Sequence, residues 1–523
     1  MIQSSPVGFF YSMGKQITVL FSSATFGLQS EIITVEVDTS QALPGIVIVG
    51  LPDTAVSESR ERVRSAIKNT GFTFPDLRFT INLAPADFKK VGPLYDLPLA
   101  IGILFTSGQL PPEARSHLQK SIFLGELGLT GEVRGVGGVL PSVIKAKNAG
   151  FQKIFVPHAN AREASLVEGV EIYRISHLKE LTDHLVEGKL QPYLPSKQSL
   201  TQNKSASLYD FSFIRGQKSA KRALEIAASG GHNVSFSGPP GSGKTLLART
   251  LPTILPEMNY EEALEVTKIY SIAGRLSEEN PLIIERPFRA PHHSISDVAL
   301  VGGGKWPTPG ELSLAHRGVL FLDEFPEFPR GTLEQLRQPL EDGSITISRI
   351  SGTLTFPARI MLVTSQNPCP CGFASDPDKE CRCSLQTLER YRQKISGPLL
   401  DRIDLFMEVP RLTFCELSGK ENQEENSEHI RSRVKMAREI QKKRFHNSTI
   451  FTNAEMTQKF IQKFCNISFD SQKLLEMALR NFHLSPRSYF RIHKVARTIA
   501  DLEGSEEIKK DHIAEAIQYR LNA

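Results

Sequence analysis

One stretch constrains this chain more than any other. Gly238, Pro239, Pro240, Gly241, Ser242, Gly243, Lys244 and Thr245 follow one another and fit the pattern G-x-x-x-x-G-K-[ST]. The flanks suit it: Asn233-Val-Ser-Phe-Ser237 reads as a strand before the loop, and Leu246 to Leu251 as a helix after it. Glycines let the backbone wrap around phosphates so that N–H groups point inward. Lys244 is then expected to contact the β- and γ-phosphates of ATP, and the Thr245 hydroxyl to ligate Mg²⁺.

A second segment completes such a site. Gly318-Val-Leu-Phe-Leu-Asp323-Glu324 is a short apolar run ending in two carboxylates. Asp323 is expected to hold Mg²⁺, and Glu324 to orient and deprotonate the attacking water. Adjacent acids can divide the work because one faces the metal and the next faces the water. An apolar run before Asp-Glu is common by itself; the phosphate loop upstream gives it meaning.

With these motifs in place the chain resembles the AAA+ ATPases. Ile214-Arg-Gly216-Gln217 resembles their adenine-side box, and Arg359 to Asn367 (RIMLVTSQN) their sensor-1 strand with Asn367 at its tip. Ser396 to Asp404 (SGPLLDRID) is similar to the arginine-finger segment of the magnesium-chelatase and MCM branch, with Arg402 as the finger. Leu484-Ser-Pro-Arg487 resembles sensor 2. The resemblance implies that Glu324, Asn367, Arg402 and Arg487 serve catalysis, with Arg402 reaching a neighbouring subunit's ATP. A finger supplied in trans implies a ring, most simply a homo-hexamer.

Other segments surround this core. Arg286 to Gly304, with His292 and His293, resembles the helix-2 insert of the same branch, and its histidines read as loop residues rather than metal ligands. Gly343 to Phe356 alternates β-formers about turn residues and predicts a hairpin. Its position resembles the pre-sensor-1 hairpin of DNA-translocating relatives, which makes Arg349 a candidate DNA contact; a solvated hairpin tip is the plain alternative. Cys369-Pro-Cys371 and Cys381-Arg-Cys383 can wrap one tetrahedral Zn²⁺ with four thiolates, free loop thiols being the alternative. The six cysteines, with Cys415 and Cys465 apart, are too sparse for a disulfide scaffold.

The chain's 523 residues allow about three to four domains. A linker composition, QPYLPSKQSLTQNKSAS, runs from Gln191 to Ser207. The expected order is an N-terminal domain over 1–190, the linker 191–207, an α/β P-loop core over 208–411 carrying the cysteine insert 369–383, a loop at 412–426 and an all-α lid over 427–523. The N-terminal part predicts a buried strand at Gly45 to Gly50, a helix from Ser57 to Asn69, and a strand at Phe79 to Leu83. Its Gly125 to Arg134 segment, Gly137-Gly138 and the Asp96-Leu-Pro-Leu-Ala100 helix resemble the Lon-protease-type α+β domain, of the ribosomal S5 domain 2 kind. That family's Ser–Lys dyad falls on Leu94 and Leu140 here, so nucleophilic catalysis has no route. Lys89 and Lys90 beside that loop allow a phosphate contact, with a solvated basic pair as the plain reading. Arg487, Arg491, Lys494 and Arg497 share a helical face that reads as solvated.

Lys and Arg number 62 against 57 Asp and Glu, a net charge of +5, which permits a nucleic-acid partner without demanding one. No apolar run approaches the roughly 20 residues of a membrane span, so no membrane partner and a cytoplasmic location are expected. Taken whole, the sequence resembles the YifB/ComM family of magnesium-chelatase-like AAA+ ATPases. That implies an ATP-driven DNA helicase or branch-migration motor of homologous recombination during natural transformation, acting on single-stranded or branched DNA. The alternatives are a chelatase motor inserting Mg²⁺ into a porphyrin and a protein-remodelling ATPase.

Overall fold

The computed structural model describes residues 17–87, 89–194, 208–277, 279–304, 307–349, 352–374, 376, 379–412, 424–446, 448, 450–482 and 484–521. Cys415 and most of the expected linker lie outside the described residues. The chain forms two compact units. The first takes in the described residues up to 194 with Thr267–Leu282 and Ser348–Leu354; the second holds the remainder.

The first unit is built on a seven-stranded mixed sheet. Its strands are β1 (Thr18–Phe26), β2 (Gln29–Ser40), β3 (Gly45–Val49), β4 (Arg78–Ala84), β5 (Ser121–Phe123), β8 (Lys153–Pro157) and β9 (Glu171–Ile175), in the order β3-β4-β2-β1-β5-β8-β9; β6 (Glu126–Leu127) and β7 (Val133–Arg134) form a separate small hairpin. In β2 the period-two pattern buries Ile33, Val35 and Val37 completely. The helix Asp96–Thr106 packs on that face and is buried nearly all round. Gly102 lets it approach: a Cβ there would lie 2.6 Å from Val37 Cγ2 and 3.0 Å from Leu20 Cδ1. The expected helix at Ser57 to Asn69 is Thr54–Asn69, capped by Asp53, with Val63 and Ile67 in the core.

Two expectations fail here. The strand at Gly45 is an edge strand with half-exposed residues, because only β4 pairs with it. Lys90 is fully buried and its Nζ donates to the Pro85 carbonyl, so it offers nothing to a phosphate. Leu94 and Leu140, where a dyad would stand, are both buried apolar residues. Beside them Asp96, fully buried, accepts from Arg62 Nε at 2.7 Å and from the Leu127 N–H at 3.1 Å.

The second unit centres on a five-stranded, wholly parallel sheet. Its strands are β10 (Val234–Ser237), β11 (Phe288–Arg289), β14 (Val319–Leu322), β17 (Met361–Gln366) and β18 (Leu405–Glu408), ordered β11-β14-β17-β10-β18. Val319 to Leu322 and Met361 to Ser365 are uninterrupted buried runs, as parallel strands covered on both faces require. Two short pairs lie outside this sheet: β12 (Gly302–Gly303) with β13 (Thr308–Pro309), and the expected hairpin of β15 (Ser344–Arg349) with β16 (Gly352–Pro357). The C-terminal region is helical: Ser427–Arg444, Gln458–Phe464, Phe469–Asn481, Pro486–Leu502 and Lys510–Leu521. Its Val434, Ile492, Val495, Ile499 and Ile513 join Phe236, Val363 and Leu405 of the sheet in one core. Burying each such side chain contributes roughly 1.5–3 kcal/mol.

Candidate active site

The octapeptide joins β10 to the helix Lys244–Ile254. Its glycines are there for geometry. A Cβ on Gly238 would lie 2.2 Å from the Val409 carbonyl oxygen, and Gly241 and Gly243 adopt φ of 80° and 93°. Gly243 precedes the helix without any side-chain cap, so the first helical N–H groups face the loop, an arrangement that suits an anion. Lys244 is folded into the loop, where Nζ donates to the carbonyls of Gly238 (2.7 Å) and Pro239 (2.9 Å) and to Asn367 Oδ1 (3.3 Å). Burial pulls its pKa below the ordinary lysine value, and Asp323 works against that.

Strand β14 delivers the acid pair beside this loop. Asp323 Oδ2 accepts from the Thr245 hydroxyl at 3.0 Å, and its Oδ1 accepts both from the Glu324 N–H at 3.0 Å and from the Ser365 hydroxyl. The Thr245 hydroxyl and the Asp323 carboxylate are thus paired oxygen donors of the kind Mg²⁺ prefers. Glu324 has φ of 51°, in the left-handed region. It meets His293, whose Nδ1 lies 3.2 Å from Glu324 Oε2. An acid thus lies beside the histidine pair, and among the described residues the only clustered metal-ligating group remains the four cysteines. Strand β11 runs parallel to β14, with Phe288 opposite Val319, so residues just past β11 emerge at the same sheet end as the acid pair. The sequence carries no local signal for His293, and Ser365 lies within the sensor-1 segment. Gln217, buried, ties the upstream box to the loop through Pro410 O (2.8 Å) and Ser242 O (3.4 Å).

Two of the candidate residues stand elsewhere in the second unit. Arg402 donates from Nε to Arg337 O (3.1 Å) and from Nη1 to Pro398 O (2.9 Å), and Nη2 pairs with Glu341. Arg487 lies 3.5 Å from Asp401. Ser485 caps the helix Pro486–Leu502 through the Ser488 N–H, with proline at the first turn, so Ser-Pro-Arg mounts Arg487 at a helix start. Arg402 and Arg487 line one cavity of about 590 Å³, together with Arg491 and Lys494. No residue of the octapeptide, nor Asp323, Glu324 or Asn367, borders it.

The helical face expected to be solvated is largely buried. Arg491 pairs with Asp404 at 2.7 Å, Arg497 with Asp501 at 3.1 Å, and Lys494 Nζ donates to Ala454 O at 2.7 Å. Burial, then Arg491, lowers Lys494 to about 8. Asp404 is itself buried and also accepts from the Asn233 N–H at 3.0 Å. Burial opposes its ionisation, but Arg491 and then His232 outweigh it and hold its pKa far below the ordinary range.

Beyond Asn367 the four cysteines converge. Their sulfur atoms all lie within 4.8 Å of one another, and a metal ion could be held among them. Between them, Gly372 (φ 86°) makes the turn, with its N–H on the Cys369 carbonyl at 2.9 Å. Arg349 ends β15, and its side chain lies outside what is described. Among the described residues no helix is long and apolar enough to cross a membrane.

A parallel sheet, a glycine-rich loop at a helix start and a strand ending in Asp-Glu define a P-loop nucleotide-binding protein. Comparison with known proteins narrows this. Family profiles match over residues 210–417 (magnesium chelatase, subunit ChlI), 35–160 (subunit ChlI of Mg-chelatase) and 424–520 (magnesium chelatase, subunit ChlI C-terminal). The chain is 44% identical to the competence protein ComM of Haemophilus influenzae over 507 residues, 96% of this chain and 97% of that protein. It is 43% identical to the YifB protein of Escherichia coli over 504 residues, 96% and 97% of the two. It is 24% identical to the magnesium-chelatase 38 kDa subunit of Rhodobacter capsulatus over 339 residues, 61% of this chain and 89% of that one. The chain belongs to the YifB/ComM family of magnesium-chelatase-like AAA+ proteins.

Proposed function

We propose that this protein is a ring-forming AAA+ ATPase that works as a motor on DNA. The observation that carries the ATPase reading is the convergence of Lys244, Thr245, Asp323 and Asn367 on one phosphate-sized loop, with Glu324 next in chain. In this reading the loop N–H groups and Lys244 bind the triphosphate. Thr245 and Asp323 hold Mg²⁺, which neutralises phosphate charge when bound. Glu324 takes the proton of the attacking water, and Asn367 orients that water or the γ-phosphate. Arg402 and Arg487, grouped away from the loop, act on the nucleotide of an adjacent copy, in a ring whose six copies are proposed from the family resemblance. The four cysteines hold structural zinc.

Action on DNA, by branch migration or strand displacement in recombination during transformation, rests on likeness to a protein named for competence, with Arg349 of the β15–β16 hairpin as a candidate phosphate contact. The N-terminal unit is proposed to be a Lon-like module without catalysis, supported by buried Leu94 and Leu140 at the dyad positions. A chelatase motor is the second reading, favoured by the likeness to the 38 kDa subunit; that alignment leaves much of this chain without a counterpart. The test is the steady-state ATPase rate with no DNA, single-stranded, duplex and branched DNA, using Glu324→Gln as the blank. Stimulation by branched or single-stranded DNA is expected; a rate indifferent to every DNA would refute the DNA motor.

A further inference from the structure

We propose that Cys369, Cys371, Cys381 and Cys383 form a closed tetrathiolate zinc site whose function is to brace the nucleotide loop. The sulfur positions carry the metal half. Cys369 and Cys371 are 3.2 Å apart, and Cys381 lies 3.6 Å from each of them. A tetrahedral Zn²⁺ with Zn–S of about 2.3 Å places its sulfurs roughly 3.8 Å apart, a separation these thiols reach with small adjustments. The donor set is all sulfur and numbers four, which selects a soft or borderline ion and leaves no open position for substrate. On binding, the thiol protons pass to solvent and the ion offsets part of the thiolate charge, leaving the site net negative.

The bracing half comes from what the knuckle touches. Cys369 is fully buried and lies two residues past Asn367, which itself contacts Lys244. The turn at Gly372 abuts the loop: a Cβ there would lie 2.7 Å from Pro240 Cδ and 2.8 Å from Pro240 Cγ. The metal therefore fixes a rigid backbone against the middle of the octapeptide, at Pro240. This half rests on the assignment of Gly238 to Thr245 as the nucleotide loop.

The experiment uses the full chain. Metal analysis is expected to find about one zinc per chain, and cobalt exchange to give the visible d–d bands of a tetrahedral tetrathiolate; their absence would overturn the site. Zinc is then released by a mercurial under a colorimetric chelator, and hydrogen exchange is followed in the peptide containing Pro240. Exchange there is expected to rise about tenfold and to reverse when thiol and Zn²⁺ are restored; unchanged exchange would overturn the bracing. Neither readout needs nucleotide, so failure of the ATPase reading would show separately, as absence of ATP binding in zinc-loaded protein. Gly372→Ala tests the contact with every ligand intact. It is expected to keep its zinc and weaken binding of a fluorescent ATP analogue by about tenfold, since a Cβ at positive φ must displace Pro240; unaltered affinity with zinc retained would refute the brace.

Discussion

If Arg402 serves the nucleotide of a neighbouring copy, two inactive variants should restore each other. Arg402→Ala alone is expected to lose about 10³-fold or more in ATP turnover, roughly 4 kcal/mol of transition-state stabilisation. The fold should survive. Glu341's side chain is 66% exposed, so that pair is worth about 0–1 kcal/mol, and loss of the bonds from the largely buried Arg402 to two backbone carbonyls adds about 1–3 kcal/mol. Glu324→Gln is equally silent but keeps Arg402. In a ring assembled at random from equal amounts of both, about one interface in four joins an intact Glu324 to an intact Arg402. Phosphate release should therefore recover to about a quarter of the wild-type rate. The assay is steady-state turnover across mixing ratios, with assembly followed by light scattering. A mixture no faster than the sum of its parents would refute the assignment, because a residue acting within its own chain cannot be complemented.

Lys244→Ala is expected to weaken ATP binding by about 10–100-fold while leaving the fold intact, since it removes a charged donor from the phosphate loop; titration with a fluorescent nucleotide checks this. Asp404→Ala should cost about 3–5 kcal/mol, because it strands Arg491 and the Asn233 N–H in the interior; denaturant melts would show it. Glu265 gives a pH signature. Burial opposes its ionisation, but hydrogen bonds from His316 and Arg317 win and bring its pKa down to about 2. Its stabilising effect is thus present above about pH 4.5 and lost as pH falls toward 2. Partial exposure reduces that effect to about 1–2 kcal/mol. The stability gap between wild type and Glu265→Gln should shrink over that range, and a constant gap would contradict the assignment.

The phosphate loop was legible because its constraints are local. Gly238, Gly241 and Gly243 are dictated by close approach and positive φ, and the strand and helix beside them follow from neighbouring residues. The hairpin after Gly343 and the Ser485-Pro486 helix start were readable for the same reason. What escaped depends on pairings across long separations. His293 reaches Glu324 only because β11 and β14 are neighbours. Arg491 and Arg497 looked like a wet face until Asp404 and Asp501 were brought against them. Lys90 followed the same logic in reverse: a basic pair reads as surface, yet the chain folds one member inward onto a carbonyl. The resemblance sets only Arg402 apart from the loop group; Arg487 stands with it through the cavity they share and the Arg487–Asp401 contact, which no local pattern in the sequence encodes.

Asp404 has a mechanical consequence. It sits at the root of β18, holds the N–H of Asn233 just ahead of the strand that carries the loop, and grips Arg491 in the second turn of the helix Pro486–Leu502. A pin of buried charge does not slide, since any slippage would expose unpaired ions to a dry interior. Torque applied at Arg487 is therefore met at Arg491, one turn further along the same helix. The torque arrives at the foot of β10, at the opposite end of that strand from the octapeptide. Asp404 is thus one tie between the helix that carries Arg487 and the strand beneath the phosphate loop, alongside the His232–Thr498 hydrogen bond (2.8 Å).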